Sequence, residues 1–300
     1  EAIARGTGVR GLINIQFAYV SENLFVIEAN PRASRTVPFV SKATGVQLAK
    51  AAVMIGLGKS IAELKAEGYL PKNMDGASLP QNTAIAVKAA VLPFSRFRTP
   101  EGVVVDSLLS PEMRSTGEVM GLDTLYDTAF AKAQAGAGSP LPTEGKVFVS
   151  VANHDKRNVI IYAKMLEQLG FEIVSTGGTA DVLRRNGVNS TVASKFAEAN
   201  GQHSIIDMVR NGEIDLILNT PAGGAARSDG YEIRAAAVSV GCPVMTTISE
   251  FAAAVQAITA LRERSWEIIN LQEHGEFLRT ASTREQGQDK GEQVREGELS

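Results

Sequence analysis

The feature that most constrains the fold is a regular alternation of short apolar runs and amphipathic stretches after residue 145. The apolar runs predict strands at 146–151, 171–175, 190–193, 214–218, 243–245 and 266–271. The stretches between them predict helices at 156–169, 179–186, 203–210, 230–240 and 248–261. This alternation is typical of a parallel sheet, because each parallel pair of strands needs a long crossover connection. The predicted fold class is therefore α/β, with helices on both faces of the sheet.

The first 134 residues follow a different pattern, which opens with a predicted β-hairpin. Two apolar runs, 12–20 and 24–28, flank a polar turn centred near Glu22. Symmetric pairing about that residue places Gln16 opposite Glu28. It also turns four large side chains toward a predicted core: Phe17, Tyr19, Phe25 and Ile27. Helices at 41–56, 59–67 and 123–134 and a strand at 84–92 complete the prediction for this part.

The composition of the chain changes at one place, residues 135–142, where Ala, Gly, Ser and Pro are typical of a linker. The predicted organisation is a first segment at 1–134, a linker at 135–144 and a second domain at 145–279. Residues 280–300 are polar and are predicted to be disordered. Because the sequence begins at Glu1 without a Met, we expect a chain cut from a longer protein.

Charge and composition exclude several classes of protein. The chain has 30 basic and 33 acidic residues, so an overall basic surface for nucleic acid is excluded. No stretch of 18 apolar residues occurs, and we expect no association with a membrane. The single Cys242 excludes an internal disulfide, and the cytoplasm is the expected location. Three scattered His residues and one Cys lack the spacing of a metal site.

Polar residues at one end of the predicted hairpin form the first candidate site. Glu28 and Asn30 point the same way on an extended strand end, and Gln16 joins them across the hairpin. A carboxylate with two amide oxygens suits a hard cation such as Mg²⁺. Arg32 and Arg35 follow, and guanidinium groups match phosphate oxygens. The set predicts nucleotide-dependent phosphoryl transfer; the alternative is a solvated hairpin edge with an Asn-Pro turn.

Three polar loops follow the strands of the second domain, at 153–156, 176–179 and 219–224. Ligands of open parallel sheets bind beyond the carboxyl ends of the strands, where these loops converge. Gly-rich turns that enter helices expose N–H groups to anions, and Lys156, Thr176 and Thr179 could complete a phosphate site. Lys195, after the short third strand, could reach the same edge. The alternative is that Gly and Thr only cap helices.

Long runs of the sequence resemble a known family. The Gln-Phe-Ala at 16–18, the run Ile-Glu-Ala-Asn-Pro-Arg-Ala-Ser-Arg-Thr from residue 27 and the run Pro-Glu-Met-Arg-Ser-Thr-Gly-Glu-Val-Met-Gly at 111–121 resemble the ATP-grasp fold of the carbamoyl-phosphate synthase large subunit. The second domain resembles the methylglyoxal-synthase-like domain at the C-terminus of that family. The resemblance covers residues 8–275.

The resemblance implies site residues and ligands. Residues 1–134 would be the end of the second ATP-grasp half, which phosphorylates carbamate with ATP. The implied ligands of Mg²⁺ or Mn²⁺ on ATP are Gln16, Glu28 and Asn30. The implied catalytic and phosphate contacts are Arg32 and Arg35. Residues 145–279 would bind a nucleotide effector, UMP or IMP, through Lys156, Thr176, Thr179, Lys195, Asn219 and Thr220. Pro221 departs from the family pattern, and Ala89 and Val244 argue against activation by ornithine.

The family resemblance also implies a function for the whole protein. Such an enzyme makes carbamoyl phosphate from bicarbonate, glutamine-derived ammonia and two ATP, and serves arginine and pyrimidine biosynthesis. Its implied partners are a small glutaminase subunit and further copies of the heterodimer. We expect no ATPase activity from these 300 residues alone. The alternatives are a stand-alone nucleotide-sensing module and a methylglyoxal-synthase-like lyase; the lyase needs aspartates, of which the loops contain Asp155 and Asp229.

Overall fold

The structure is a computed structural model that describes residues 1–72, 83–96, 106–109, 112–194, 204–221 and 223–274. The side chains of residue 95 and of residues 223–229 lie outside this description. The chain forms two compact units, one of Glu1–Ile85 with Glu267–Ser300 and one of Ala86–Trp266. Residues 280–300, predicted to be disordered, lie outside the described residues. The domain boundary at 135–144 stays a prediction.

The first unit contains a two-stranded hairpin and short helices. Its elements are α1 (Ala2–Gly6), β1 (Asn14–Val20), β2 (Asn23–Asn30), α2 (Thr36–Thr44), α3 (Leu48–Gly56) and α4 (Ile61–Ala66). The short helix predicted at 59–67 is confirmed as α4, whose N-cap Ser60 forms a capping box with Glu63. The single helix predicted at 41–56 is wrong. Gly45 adopts a left-handed φ of 70° that ends α2, and α3 begins three residues later.

The hairpin pairs Gln16 with Glu28 as predicted, but the face predicted to be buried is exposed. Ser21 and Glu22 both have positive φ, which is typical of a two-residue turn. A bulge then shifts the register by one residue, so that Gln16 pairs with Glu28 as predicted while Ala18 pairs with Phe25. The prediction of a buried face is wrong, since Phe17, Tyr19, Phe25 and Ile27 are each at least half exposed.

The second unit begins with a β-β-α segment. β3 (Ile85–Val91), which starts at the division between the units, pairs with β4 (Gly117–Asp123), and α5 (Tyr126–Gly136) follows. The strand predicted at 84–92 is confirmed, whereas β4 was not predicted. Its residue Gly121 leaves room for α5, because an added Cβ would lie 1.9 Å from the carbonyl oxygen of Ala129. The helix predicted at 123–134 begins at Tyr126, three residues later than predicted, because β4 extends to Asp123.

A five-stranded parallel sheet forms the centre of the second unit, with the strand order β7-β6-β5-β8-β9. Its elements are β5 (Lys146–Ser150), α6 (Val159–Gln168), β6 (Glu172–Ser175), α7 (Gly177–Arg185), β7 (Thr191–Val192), α8 (Ile205–Arg210), β8 (Leu216–Asn219), α9 (Gly223–Val240), β9 (Val244–Met245) and α10 (Ile248–Glu263). The predicted α/β class is confirmed. The strand predicted at 266–271 is wrong, because residues 265–270 form no β pairing.

Alternate residues of the central strands fill two cores, one on each face of the sheet. Val147 and Val149 of β5 pack in one core with Leu216 and Leu218 of β8. Phe148, between the two valines, packs in the other core with residues of α8 and α9. Because successive side chains of a strand point to opposite faces, helices cover both faces as predicted. This burial holds the carboxyl ends of the strands in a fixed arrangement.

Candidate functional site

The hairpin end brings together three of the predicted metal ligands. Gln16 and Glu28 are direct partners across β1 and β2, and the Asn30 side-chain Nδ2 donates a hydrogen bond of 3.0 Å to Glu28 Oε1. Gln16 and Glu28 are exposed. The donor set, one carboxylate and two amide oxygens, fits a hard divalent cation. A cation there would require the Asn30 amide to turn its oxygen toward the metal.

Arg32 and Arg35 follow the hairpin in an exposed turn. The Arg32 N–H donates to the Asn30 carbonyl oxygen at 2.8 Å, and its guanidinium Nη1 donates to the Ala33 carbonyl oxygen at 3.1 Å. Arg35 is the residue just before α2. Both side chains are exposed to solvent and lie within five residues of Asn30. Within the described part of the chain, no cluster of three or more His, Cys, Asp or Glu could hold a metal.

The carboxyl edge of the parallel sheet holds the second group of predicted residues. Thr176 lies at the N-cap of α7, where its Oγ1 is 3.5 Å from Ser150 Oγ and 3.4 Å from Thr179 Oγ1. The Lys156 ammonium lies beside the first turn of α7, 3.1 Å from the position that a Cβ on Gly178 would take. The first N–H groups of a helix have no intrahelical acceptor. Lys156, Thr176 and these N–H groups can therefore bind one anion.

Two of the predicted threonines are buried and hold the loop after β5. Thr220 Oγ1 accepts a hydrogen bond of 2.9 Å from the Ala152 N–H, and Thr179 Oγ1 lies 3.5 Å from the Val151 nitrogen. Thr179 and Thr220 are 2% and 7% exposed. The structure thus brings both to the predicted edge and gives each hydroxyl a backbone partner. Lys195 lies outside the described residues.

Asn219 leads to a buried arginine that sequence reasoning missed. Arg234 of α9 is fully buried, and its Nη1 donates a hydrogen bond of 2.7 Å to Asn219 Oδ1. Its Nε and Nη2 donate to the two oxygens of Asp106 at 2.8 and 2.7 Å. The available signal was a charged residue among Ile233, Ala236 and Ala237, on the apolar side of a helix.

The Asp106–Arg234 pair is held by both charge and geometry. Burial alone would raise the pKa of Asp106, but the hydrogen bonds and charge of Arg234 hold that pKa below its ordinary value. The Leu108 N–H and the Arg114 charge act in the same direction. A buried guanidinium requires such a partner, because an unpaired charge in a protein interior is strongly destabilising. Gly230 lies one turn earlier on α9, where a Cβ would fall 2.3 Å from Arg234 Nη1.

Comparisons with known proteins match the two parts of the chain to two domain families. Residues 158–246 match the MGS-like domain, and residues 1–64 match the ATP binding domain of the carbamoyl-phosphate synthase L chain. Both matches agree with the resemblance that the sequence predicted for these two parts of the chain. Among the described residues, no helix has the length and apolar character needed to cross a membrane.

Individual relatives agree with these matches. The chain is 66% identical to the carbamoyl phosphate synthase large chain of Kocuria rhizophila over 96% of its own length and 26% of the relative. It is 66% identical to that of Paenarthrobacter aurescens over 94% of its length, and 57% identical to that of Streptomyces coelicolor over 93%, with 26% of each relative covered. The predicted resemblance to the large chain is confirmed. The chain spans about a quarter of the length of these relatives.

Proposed function

We propose that this chain is part of a carbamoyl phosphate synthase large chain, a ligase that forms carbamoyl phosphate from bicarbonate, ammonia and two ATP. Identity of 57–66% to such large chains over nearly the whole chain supports the assignment. In this proposal the ammonia comes from glutamine through a small glutaminase subunit, and the full heterodimer forms larger oligomers. The enzyme acts in the cytoplasm and supplies arginine and pyrimidine biosynthesis.

The hairpin end contributes to phosphorylation of carbamate in this proposal. Gln16, Glu28 and Asn30 would hold Mg²⁺ or Mn²⁺, which neutralises charge on the ATP phosphates when it is bound. Arg32 and Arg35 would contact phosphate oxygens, since both are exposed residues that follow the hairpin within five positions of Asn30. The remainder of the ATP site would come from other parts of the large chain, so we expect no turnover by the 300 residues alone.

The carboxyl edge of the parallel sheet would bind a nucleotide monophosphate effector, UMP or IMP. The observation that carries this part is the position of the Lys156 ammonium beside the first turn of α7, next to Thr176. A positive charge and a helix N-terminus both favour a phosphate group. Asn219 and Thr220 would contact the same ligand, and Lys195 would reach it from after β7. The lyase alternative is ranked lower, because the loops offer only Asp155 and Asp229 for the aspartates that it needs.

The effector site is tested by calorimetry of the 300-residue chain with UMP and with IMP. Lys156→Ala should weaken binding by tenfold or more, because it removes a positive charge beside the first turn of α7. Lys164→Ala is the matched control, since Lys164 is an exposed lysine of α6. Wild-type chain that binds neither nucleotide, or equal affinity in wild type and Lys156→Ala, would contradict the proposal.

The metal site is tested in the full large chain with its small subunit. Glu28→Gln should abolish ATP-dependent formation of carbamoyl phosphate, because the change removes the only carboxylate of the proposed ligand set. Glu22→Gln, in the turn of the same hairpin, is the control and should retain activity. Full activity of Glu28→Gln would remove Glu28 from the metal site.

A further inference from the structure

Arg234 lies behind the effector edge and contacts one residue of that edge directly. It is fully buried on α9, and its Nη1 donates to Asn219 Oδ1 at 2.7 Å. Asn219 is the last residue of β8 and is only 6% exposed. The next residue, Thr220, supports the loop after β5 through Ala152. The Asn219 amide therefore contacts α9 through Arg234 and lies at the carboxyl edge of the sheet, at the end of β8.

The chemistry of a guanidinium decides which way the Asn219 amide faces. Arginine has five N–H donors and no acceptor, so only the oxygen of an amide can face it. The Nδ2 group of Asn219 must then point away from Arg234. An amide nitrogen donates two hydrogen bonds, and the ionised oxygens of a phosphate only accept. Without Arg234 either end of the amide could face the ligand, and one of the two would repel it.

Asp106 holds the guanidinium in that orientation. The two carboxylate oxygens of Asp106 accept hydrogen bonds from Arg234 Nε and Nη2 at 2.8 and 2.7 Å. This is the planar two-bond arrangement of arginine and carboxylate. The remaining Nη1 is the group that reaches Asn219. Gly230 leaves the space for this contact, since an added Cβ would lie 2.5 Å from Asn219 Oδ1. The three side chains thus form a continuous chain from Asp106 to the sheet edge.

We propose that Arg234 is a positioning residue of the effector site: it fixes the amide of Asn219 so that the two Nδ2 donors face the ligand. Asp106 holds Arg234 in place and therefore acts on Asn219 only through Arg234. This inference rests on the proposed effector function and adds to it a determinant that does not touch the ligand. This role accounts for a charged side chain at a buried position of α9. An apolar residue there would avoid the free-energy cost of removing a charge from water.

The test is a double-mutant cycle on UMP affinity, measured by calorimetry on the 300-residue chain. Arg234→Met should weaken UMP binding about tenfold. This is the effect of losing one hydrogen bond of about 1.4 kcal/mol between Asn219 and the ligand. In an Asn219→Ala background the same substitution should change affinity less than about twofold, because its target is gone. Arg234→Lys keeps one donor within reach and should recover part of the affinity. If Arg234→Met fails to fold by circular dichroism, Arg234→Lys and Asp106→Asn replace it in the cycle.

The possible outcomes separate the two proposals. Coupling between Arg234 and Asn219, with recovery in Arg234→Lys, supports the positioning role. Unchanged affinity in the Arg234 variants, or an equal loss in both backgrounds, overturns that role and leaves the effector site standing. If the wild-type chain binds neither UMP, IMP nor inorganic phosphate, the proposed effector site is wrong. The positioning role is then also wrong, and this is known before any variant is compared.

Discussion

Gly230→Ala should destabilise the chain, although replacing glycine by alanine within a helix usually stabilises a protein. Within a helix, alanine is ordinarily more stable than glycine by about 0.5–1 kcal/mol. Here the new Cβ would lie 2.3 Å from Arg234 Nη1 and 2.5 Å from Asn219 Oδ1, the two atoms of one hydrogen bond. Arg234 cannot swing away without losing Asp106. Loss of a hydrogen bond to a charged group costs about 1.5–3 kcal/mol, so the net change is a destabilisation of about 1–2 kcal/mol.

Urea denaturation of the 300-residue chain, followed by circular dichroism, measures this change. Gly136→Ala is the matched control: Gly136 ends α5 in the same unit, and the nearest atom to an added Cβ is 3.5 Å away, an ordinary contact. The control should be neutral or stabilising. A Gly230→Ala chain as stable as wild type would refute the reasoning, because it would mean that Arg234 and Asn219 separate at no cost. The same variant should weaken UMP binding.

Three further predictions concern the second unit. Gly121→Ala should lower the free energy of unfolding by about 3 kcal/mol in the same assay, since its Cβ would meet the backbone oxygen of Ala129; an unchanged urea midpoint would contradict this. Burial raises the pKa of the Cys242 thiol to about 12, so iodoacetamide at pH 8 should modify it only after unfolding; rapid alkylation of folded chain would count against it. The lowered pKa of Asp106 means that its stabilising effect is complete above the ordinary pKa of 3.8 and is lost as pH falls through the folded-state pKa. Asp106→Asn should therefore flatten the loss of stability in acid, and equal slopes in denaturation at several pH values would exclude this.

The parallel sheet could be predicted because its strands are buried on both faces. β5 and β8 consist mainly of consecutive apolar residues, such as Val147, Phe148 and Val149, which no single-faced strand or surface helix would carry. Once those strands are placed, the rule that ligands bind at their carboxyl ends brings the loops containing Lys156 and Thr176 to one edge. Burial and direction of the strands were therefore sufficient to predict that Lys156 and Thr176 lie at one edge, whereas the family resemblance implied Asn219 and Thr220 as ligand contacts.

Other features depend on information that local patterns do not contain. Alternation indicates which hairpin residues share a face, but not whether another layer covers that face, and so Phe17 and Tyr19 were assigned to a core wrongly. The bulge that restores the Gln16–Glu28 pair depends on backbone geometry. Arg234 was missed because its partner Asp106 is 128 residues away in the chain. The errors over Phe17, Tyr19 and Arg234 thus concern a distant contact or an environment outside the local segment.

The buried threonines at the sheet edge show why the two interpretations of these residues are compatible. A hydroxyl can accept one hydrogen bond and donate another at the same time. Thr220 Oγ1 accepts from the Ala152 N–H, which leaves its own proton for an acceptor such as a phosphate oxygen. A valine of the same shape would leave the Ala152 N–H without that partner. A hydroxyl at this position can therefore fix the loop and present a donor to the ligand, so helix capping and loop support do not argue against a binding role.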